Sequence, residues 1–189
     1  MPPAYVSFFW KYTSAPLTIE FLLFEASFKR IINPYIANLK RLCIRASIRI
    51  VDVANELEKP LIIHTRDAGD DTLRVLREQA ADHCSGVIHC FTETQAFAEQ
   101  ALELGFMISF SGIVTFNNAD RLRAVASSVP DDRLLIETDA PYLAPVPMRG
   151  KTNEPGFTSY VADVLASVKG VSKDEISRIT TDNFFSLFR

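Results

Sequence analysis

The chain has 189 residues, 48% of them hydrophobic, and a formal net charge of −3. That suffices for one domain with its own core, and the acidic balance excludes indiscriminate attraction to a polyanion without a local basic patch. Cys43, Cys84 and Cys90 are odd in number and lack a C-x-x-C spacing, which predicts a reducing, cytoplasmic setting rather than a disulfide framework. The apolar stretch at 16–28 carries Glu20 and Glu25 and is too short and too charged to span a membrane. Residues 1–10 show no basic region followed by an apolar core, so no export signal is expected.

Composition changes near residue 50. Residues 1–51 contain no Gly and no Asp, and hold seven Lys/Arg against two Glu, a net +5. The remainder holds 13 basic against 21 acidic side chains, a net −8, and all seven glycines. Turns between elements usually draw on Gly, Asp or Asn. The patches "VSFFWKY" and "IEFLLFEASF" repeat no period. Residues 1–45 are therefore expected to hold no regular element and to be an atypical segment, either irregular in its own right or the product of a shifted frame or misplaced start.

From residue 46 the signals agree. A helix is predicted over 46–58, ending before Pro60, then a strand over 61–64. Leu73, Leu76 and Ala80 share one face of a helix over 70–81. A strand over 86–90 follows, then "TETQ", read as a capping box at 92–95, and a helix burying Phe97, Ala101 and Leu104 that Gly105 ends in the left-handed conformation. Next come a strand over 106–111, a helix over 118–129 closed by Pro130, a strand over 134–138, a Pro/Gly-containing loop over 145–155, and helices over 157–169 and 172–188, the last opening with Ser172 and Glu175 as a capping box. Strands recur at the spacing of βαβ units and are short apolar runs, which predicts an α/β fold with a parallel sheet covered by helices. Ile63 and Ile88 are expected on the inner face, and Cys90 in the core.

His64, His89 and Asp139 each fall where an apolar strand ends. In a parallel sheet those ends are neighbours on one rim, where barrels of this class place active sites. Two imidazoles and a carboxylate form a common divalent-metal set; hydrogen-bonded structural residues are the competing reading. His83, in the loop before a strand, reads as solvated.

In chain order, "PLIIHTRDA", "VIHCFTET", "ISFSGIVTF", "LLIETDAPYL" and "NEP" resemble the signatures of TatD-type metal-dependent deoxyribonucleases, a branch of the amidohydrolase-like barrels. The resemblance covers residues 46–189. It implies a (β/α)8 TIM barrel that hydrolyses DNA phosphodiester bonds with one or two divalent cations (Mg, Mn or Zn). By motif match, His64 and His89 hold one metal from the fifth and sixth strands. Asp139, after the eighth, is a metal ligand and the base for the attacking water. Glu137 is expected to pair inside the barrel rather than ligate. Arg66 is a candidate phosphate fork or a salt-bridge partner, and Asn153 and Glu154 match a rim loop near the site or form a simple turn.

The family pattern also has a His-x-His on the first strand and a Glu on the fourth in a Gly-Glu-x-Gly context. No His precedes His64, no Gly precedes Gly69, and Glu20 and Glu25 do not match. Residues 52–189 compare with about 250 for a complete barrel. The chain is thus expected to hold strands five to eight only, with the strands bearing His64 and residues 134–138 as open edges through which it could self-associate. DNA is the expected substrate. A non-catalytic half-barrel and hydrolysis of a small amide or ester are the alternatives, and the chain is expected to be a poor enzyme.

Overall fold

The apolar runs become strands of one parallel sheet. The computed structural model describes residues 17–21, 33–81 and 83–188. Among these, β1 (Leu17–Phe21), β2 (Leu61–Thr65), β3 (Gly86–His89), β4 (Phe106–Phe110) and β5 (Leu134–Ile136) lie side by side in chain order, every neighbouring pair parallel. The helices are α1 (Asn33–Leu57), α2 (Gly69–Glu78), α3 (Gln95–Glu103), α4 (Asp120–Ser128), α5 (Thr158–Lys169) and α6 (Lys173–Leu187). None of the described helices is long and apolar enough to cross a membrane.

The N-terminal expectation needs correction. Helix α1 begins at Asn33, not at residue 46, and β1 lies within the stretch expected to hold no element. A 25-residue helix needs no turn residue inside it, so the missing Gly and Asp marked continuity rather than irregularity. Pro34 is tolerated because it falls in the first turn, where its absent N–H has no helical partner to lose. Strand β1 pairs along β2 from Leu17↔Leu61 to Phe21↔Thr65, so the strand bearing His64 is not an open edge. The patch "VSFFWKY" lies outside the described residues.

Side chains alternate along each strand and so divide between the two faces of the sheet. Leu61, Ile63, Ile88, Phe106, Ile108, Phe110 and Leu134 face the helices in the main core, all at most 1% exposed. Ile63 and Ile88 therefore face outward to the helices, contrary to expectation. The inner face carries Ile62, Val87, Met107 and Leu135 as its lower layer, against which Phe184, Leu187 and Phe188 of the C-terminal segment pack. Asn183 anchors that segment by donating to the carbonyls of Asp131 and Leu134 at 2.7 and 2.9 Å. Burying each large apolar side chain contributes about 1.5–3 kcal/mol.

Helix ends follow the expected chemistry with one shift of register. Ser172 Oγ accepts from the Glu175 amide at 3.1 Å, as its capping motif predicts. In "TETQ" the cap is Thr94 rather than Thr92: Thr94 Oγ1 accepts from the Phe97 amide at 3.2 Å. Gly105 stops the chain after α3 with φ +80°, a conformation that costs other residues a Cβ clash.

Candidate metal centre

One residue further up each inner face, the apolar layer gives way to a polar one. His64, His89, Ser109 and Glu137 each stand two positions after Ile62, Val87, Met107 and Leu135. Two-residue periodicity thus places them on the same face, with Glu137 two residues beyond Leu135, the register partner of Ser109. His64 and His89 are register partners on β2 and β3, with ring centroids 5.7 Å apart. Glu20 occupies the corresponding register position on β1.

His89 is the hub. Its Nδ1 lies 2.7 Å from Glu137 Oε2, and its Nε2 lies 3.3 Å from Asp139 Oδ1. Ser109 Oγ donates to the same Glu137 Oε2 at 2.6 Å. Glu137 is 5% exposed, and its other oxygen, Oε1, is buried without a hydrogen-bond partner. Burial lowers the proton affinity of His89, but hydrogen bonds to Asp139 and Glu137 outweigh it and push its pKa up to about 10. The same hydrogen bond holds the Asp139 carboxyl below its ordinary value.

His89, Glu137 and Asp139 each offer a ligating atom, and these atoms lie within 4.8 Å of one another. Two donors sharing a cation at ligand distances of about 2.0–2.3 Å stand about 3–4 Å apart, which the 3.3 Å between Nε2 and Oδ1 satisfies. Imidazole plus carboxylate suits Zn or Mn and is tolerable for Mg. Glu137 occupies the third place of this trio, and His64, the register partner of His89, stands outside it on β2. The engagement of its Oε2 with Nδ1 matches the carboxylate support commonly found behind metal-bound histidines.

Asp139 lies beyond β5 and has φ +58°, a left-handed conformation that Asp tolerates better than most residues. Its carbonyl accepts from the Tyr142 amide at 2.9 Å. Asn153 buttresses this turn. It is 3% exposed, and its amide nitrogen donates to the Thr138 carbonyl at 2.5 Å and the Tyr142 carbonyl at 2.6 Å. Both amide protons are thus spent on the chain that carries Asp139, and Asn153 Oδ1 accepts from the Glu154 amide at 2.9 Å. Glu154 is exposed, and so is Arg66, which falls past the end of β2 where alternation no longer orients it. His83 is exposed in the turn before β3, at the opposite end of the sheet from His89.

Cys90 is buried as expected, yet φ +48° breaks the alternation there and turns its thiol toward the site. It lies 3.3 Å from Ser111 Oγ, while burial and the nearby charges of Glu137 and Asp139 push its pKa up. Beyond the rim, Asp67, Asp70 and Glu93 line an acidic hollow; burial and the two aspartates raise the Glu93 pKa. Its charge disfavours a phosphate there.

A sequence profile described as TatD related DNase matches residues 35–189. The chain belongs to this family. Among TatD-family relatives, the uncharacterized metal-dependent hydrolase YcfH of Escherichia coli K12 is 56% identical over 141 residues, covering 75% of this chain and 53% of that protein. YabD of Bacillus subtilis, an uncharacterized metal-dependent hydrolase, is 45% identical over 74% of this chain and 54% of its own length. The 3'-5' ssDNA/RNA exonuclease TatD of Rahnella sp. is 38% identical over 72% of this chain and 54% of its own. The chain thus spans about half the length of the curated relatives it matches. The crystal structure of YJJV, a TatD homolog from Escherichia coli K12, superimposes with TM-score 0.70 at 24% identity, over 93% of this chain and 63% of that one. A TatD family protein from Entamoeba histolytica gives 0.68 at 21% identity, over 93% and 62%. At those identities the likeness concerns the fold alone, a TIM-barrel-like α/β architecture.

Proposed function

We propose that this chain carries part of the active centre of a metal-dependent hydrolase that cleaves phosphodiester bonds in nucleic acid, with DNA as substrate. The observation that carries the reading is the 3.3 Å approach of His89 Nε2 to Asp139 Oδ1 on the rim of a parallel sheet, with Glu137 behind the imidazole. The family match and the exonuclease named among the relatives support the substrate class. In this reading β2–β5 supply the last four strands of an eight-stranded barrel.

A divalent cation bound there supplies a lowered pKa for water and neutralises phosphoryl charge. The side chains do the rest. Glu137 orients the His89 ring and leaves Nε2 facing the centre. Asp139, with His89, would hold the cation, and its carboxylate would serve as the acceptor for the proton of the attacking water. His64, the register partner of His89 on the neighbouring strand, adds a ring nitrogen to the same rim. Arg66 and Glu154 are exposed at this end and are candidate contacts for the substrate backbone.

The test is an assay of the purified chain on an end-labelled single-stranded DNA oligonucleotide with Mg, Mn or Zn. Slow cleavage is expected, abolished by EDTA and by His89→Ala. Cleavage that survives EDTA, or a metal-loaded chain that cleaves nothing, overturns the reading. The second outcome favours a non-catalytic binding unit.

A further inference from the structure

We propose that Ser109 is a positioning residue of this centre: its hydroxyl holds the Glu137 carboxylate on His89 Nδ1 and so keeps Nε2 as the ring atom that faces Asp139. The inference rests on the metal-hydrolase reading for its consequence, but not for its geometry.

Ser109 interrupts an otherwise apolar strand, Phe106–Phe110. It is 0% exposed, and a buried hydroxyl without a partner costs about 1–3 kcal/mol. Its partner is Glu137 Oε2, at 2.6 Å. That oxygen also meets His89 Nδ1 at 2.7 Å, so donors from β3 and β4 converge on one atom of a residue just beyond β5. The other oxygen, Oε1, is buried and has no donor. The carboxylate therefore has one anchored end and one unanchored end, and the anchor is shared between the ring and the serine. Without the serine hydroxyl, a single hydrogen bond would hold the carboxylate, which could then turn about its terminal torsion. A carboxylate free to turn can enter the ligand sphere, and the ring it released can rotate Nε2 out of line with Asp139. Ser109 touches neither cation nor substrate; it acts through Glu137.

The experiment follows the His89 ring N–H signals by ¹⁵N NMR in the metal-free chain, and Mn affinity by titration. The wild type is expected to show a protected His89 Nδ1 proton. Ser109→Ala should speed its exchange and weaken Mn binding, each by about ten-fold, the lower end of what loss of such outer partners costs. Glu137→Gln should do at least as much. The double variant should lose no more than Glu137→Gln alone, because the two residues act in series. Unchanged exchange and affinity in Ser109→Ala, or additive losses in the double variant, would overturn the proposal. If Ser109→Ala fails to fold, the isosteric Glu137→Gln reads the same link: retained protection overturns it. A wild-type chain that binds no Mn would refute the hydrolase reading, while ring-proton exchange would still decide the role of Ser109.

Discussion

Metal uptake should release a proton from His89, and the cost follows from its surroundings. The hydrogen bonds to Asp139 and Glu137 overcome burial and push the imidazole pKa up to about 10 in the metal-free chain. A cation on Nε2 must displace that proton. At about pH 7.5 the displacement costs about 3 kcal/mol, at about 1.4 kcal/mol per pH unit below the pKa. Affinity for Mn should therefore rise about tenfold per pH unit between about pH 7 and about pH 9. Isothermal titration in buffers of different ionisation enthalpy counts the protons, and about one is expected per ion. His89→Ala should abolish both the release and the slope. Metal binding with no proton release and a flat pH profile would refute Nε2 as the ligand atom.

The same pair should tie the stability of the metal-free chain to pH. Its raised His89 pKa contributes stability that is complete below about pH 6.5 and lost as pH rises toward about 10, while the lowered Asp139 pKa contributes stability above its ordinary value of 3.8 that is lost as pH falls. Melting in EDTA should show a decline on the alkaline side that His89→Asn flattens; an undiminished decline in that variant would assign the effect elsewhere. Asn153→Ala leaves the Thr138 and Tyr142 carbonyls without their donor and should cost about 2 kcal/mol by denaturant melting, against about 0.5 or less for Glu154→Ala. Equal losses would contradict the buttress assigned to Asn153. Gly112→Ala would drive a Cβ into the Leu143 carbonyl oxygen of the loop beyond Asp139, at a cost of about 1–3 kcal/mol, and His83→Ala should leave metal affinity unchanged.

The candidate ligands were legible because an apolar run ending in a polar residue is a local signal. "PLIIH", "GVIH" and "LLIETD" carry it without any knowledge of long-range packing. What lay outside that signal was missed. Helix α1 begins at Asn33 because nothing after Pro34 in its first turn breaks a helix, and the absence of turn residues there marks one long element. Cys90 approaches Asp139 because it is left-handed at φ +48°, and no propensity announces that for a cysteine. The Thr92 cap failed because two threonines two residues apart both offer a hydroxyl, and packing of Phe97 on Phe91, centroids 6.1 Å apart, goes with the later start.

The error at Ile63 and Ile88 points to a stronger pattern than strand ends alone. If His64 and His89 face inward, alternation forces Ile62 and Val87 inward as well, and the pairs Ile62/His64, Val87/His89, Met107/Ser109 and Leu135/Glu137 then repeat one motif on four adjacent strands. Each is apolar below and polar above. The lower members are sealed by Phe184, Leu187 and Phe188, so water is excluded from that end of the face. The upper members carry the groups that need water or an ion. His89 and Asp139 remain partly exposed, with side chains 23% and 30% accessible, whereas Glu137 behind them is at 3%. A burial gradient of that direction separates the two carboxylates on either side of one imidazole into a partner held from within and a ligand open to the rim. On that ground the proposed division of roles has Glu137 orient the ring and Asp139 face the cation and the attacking water.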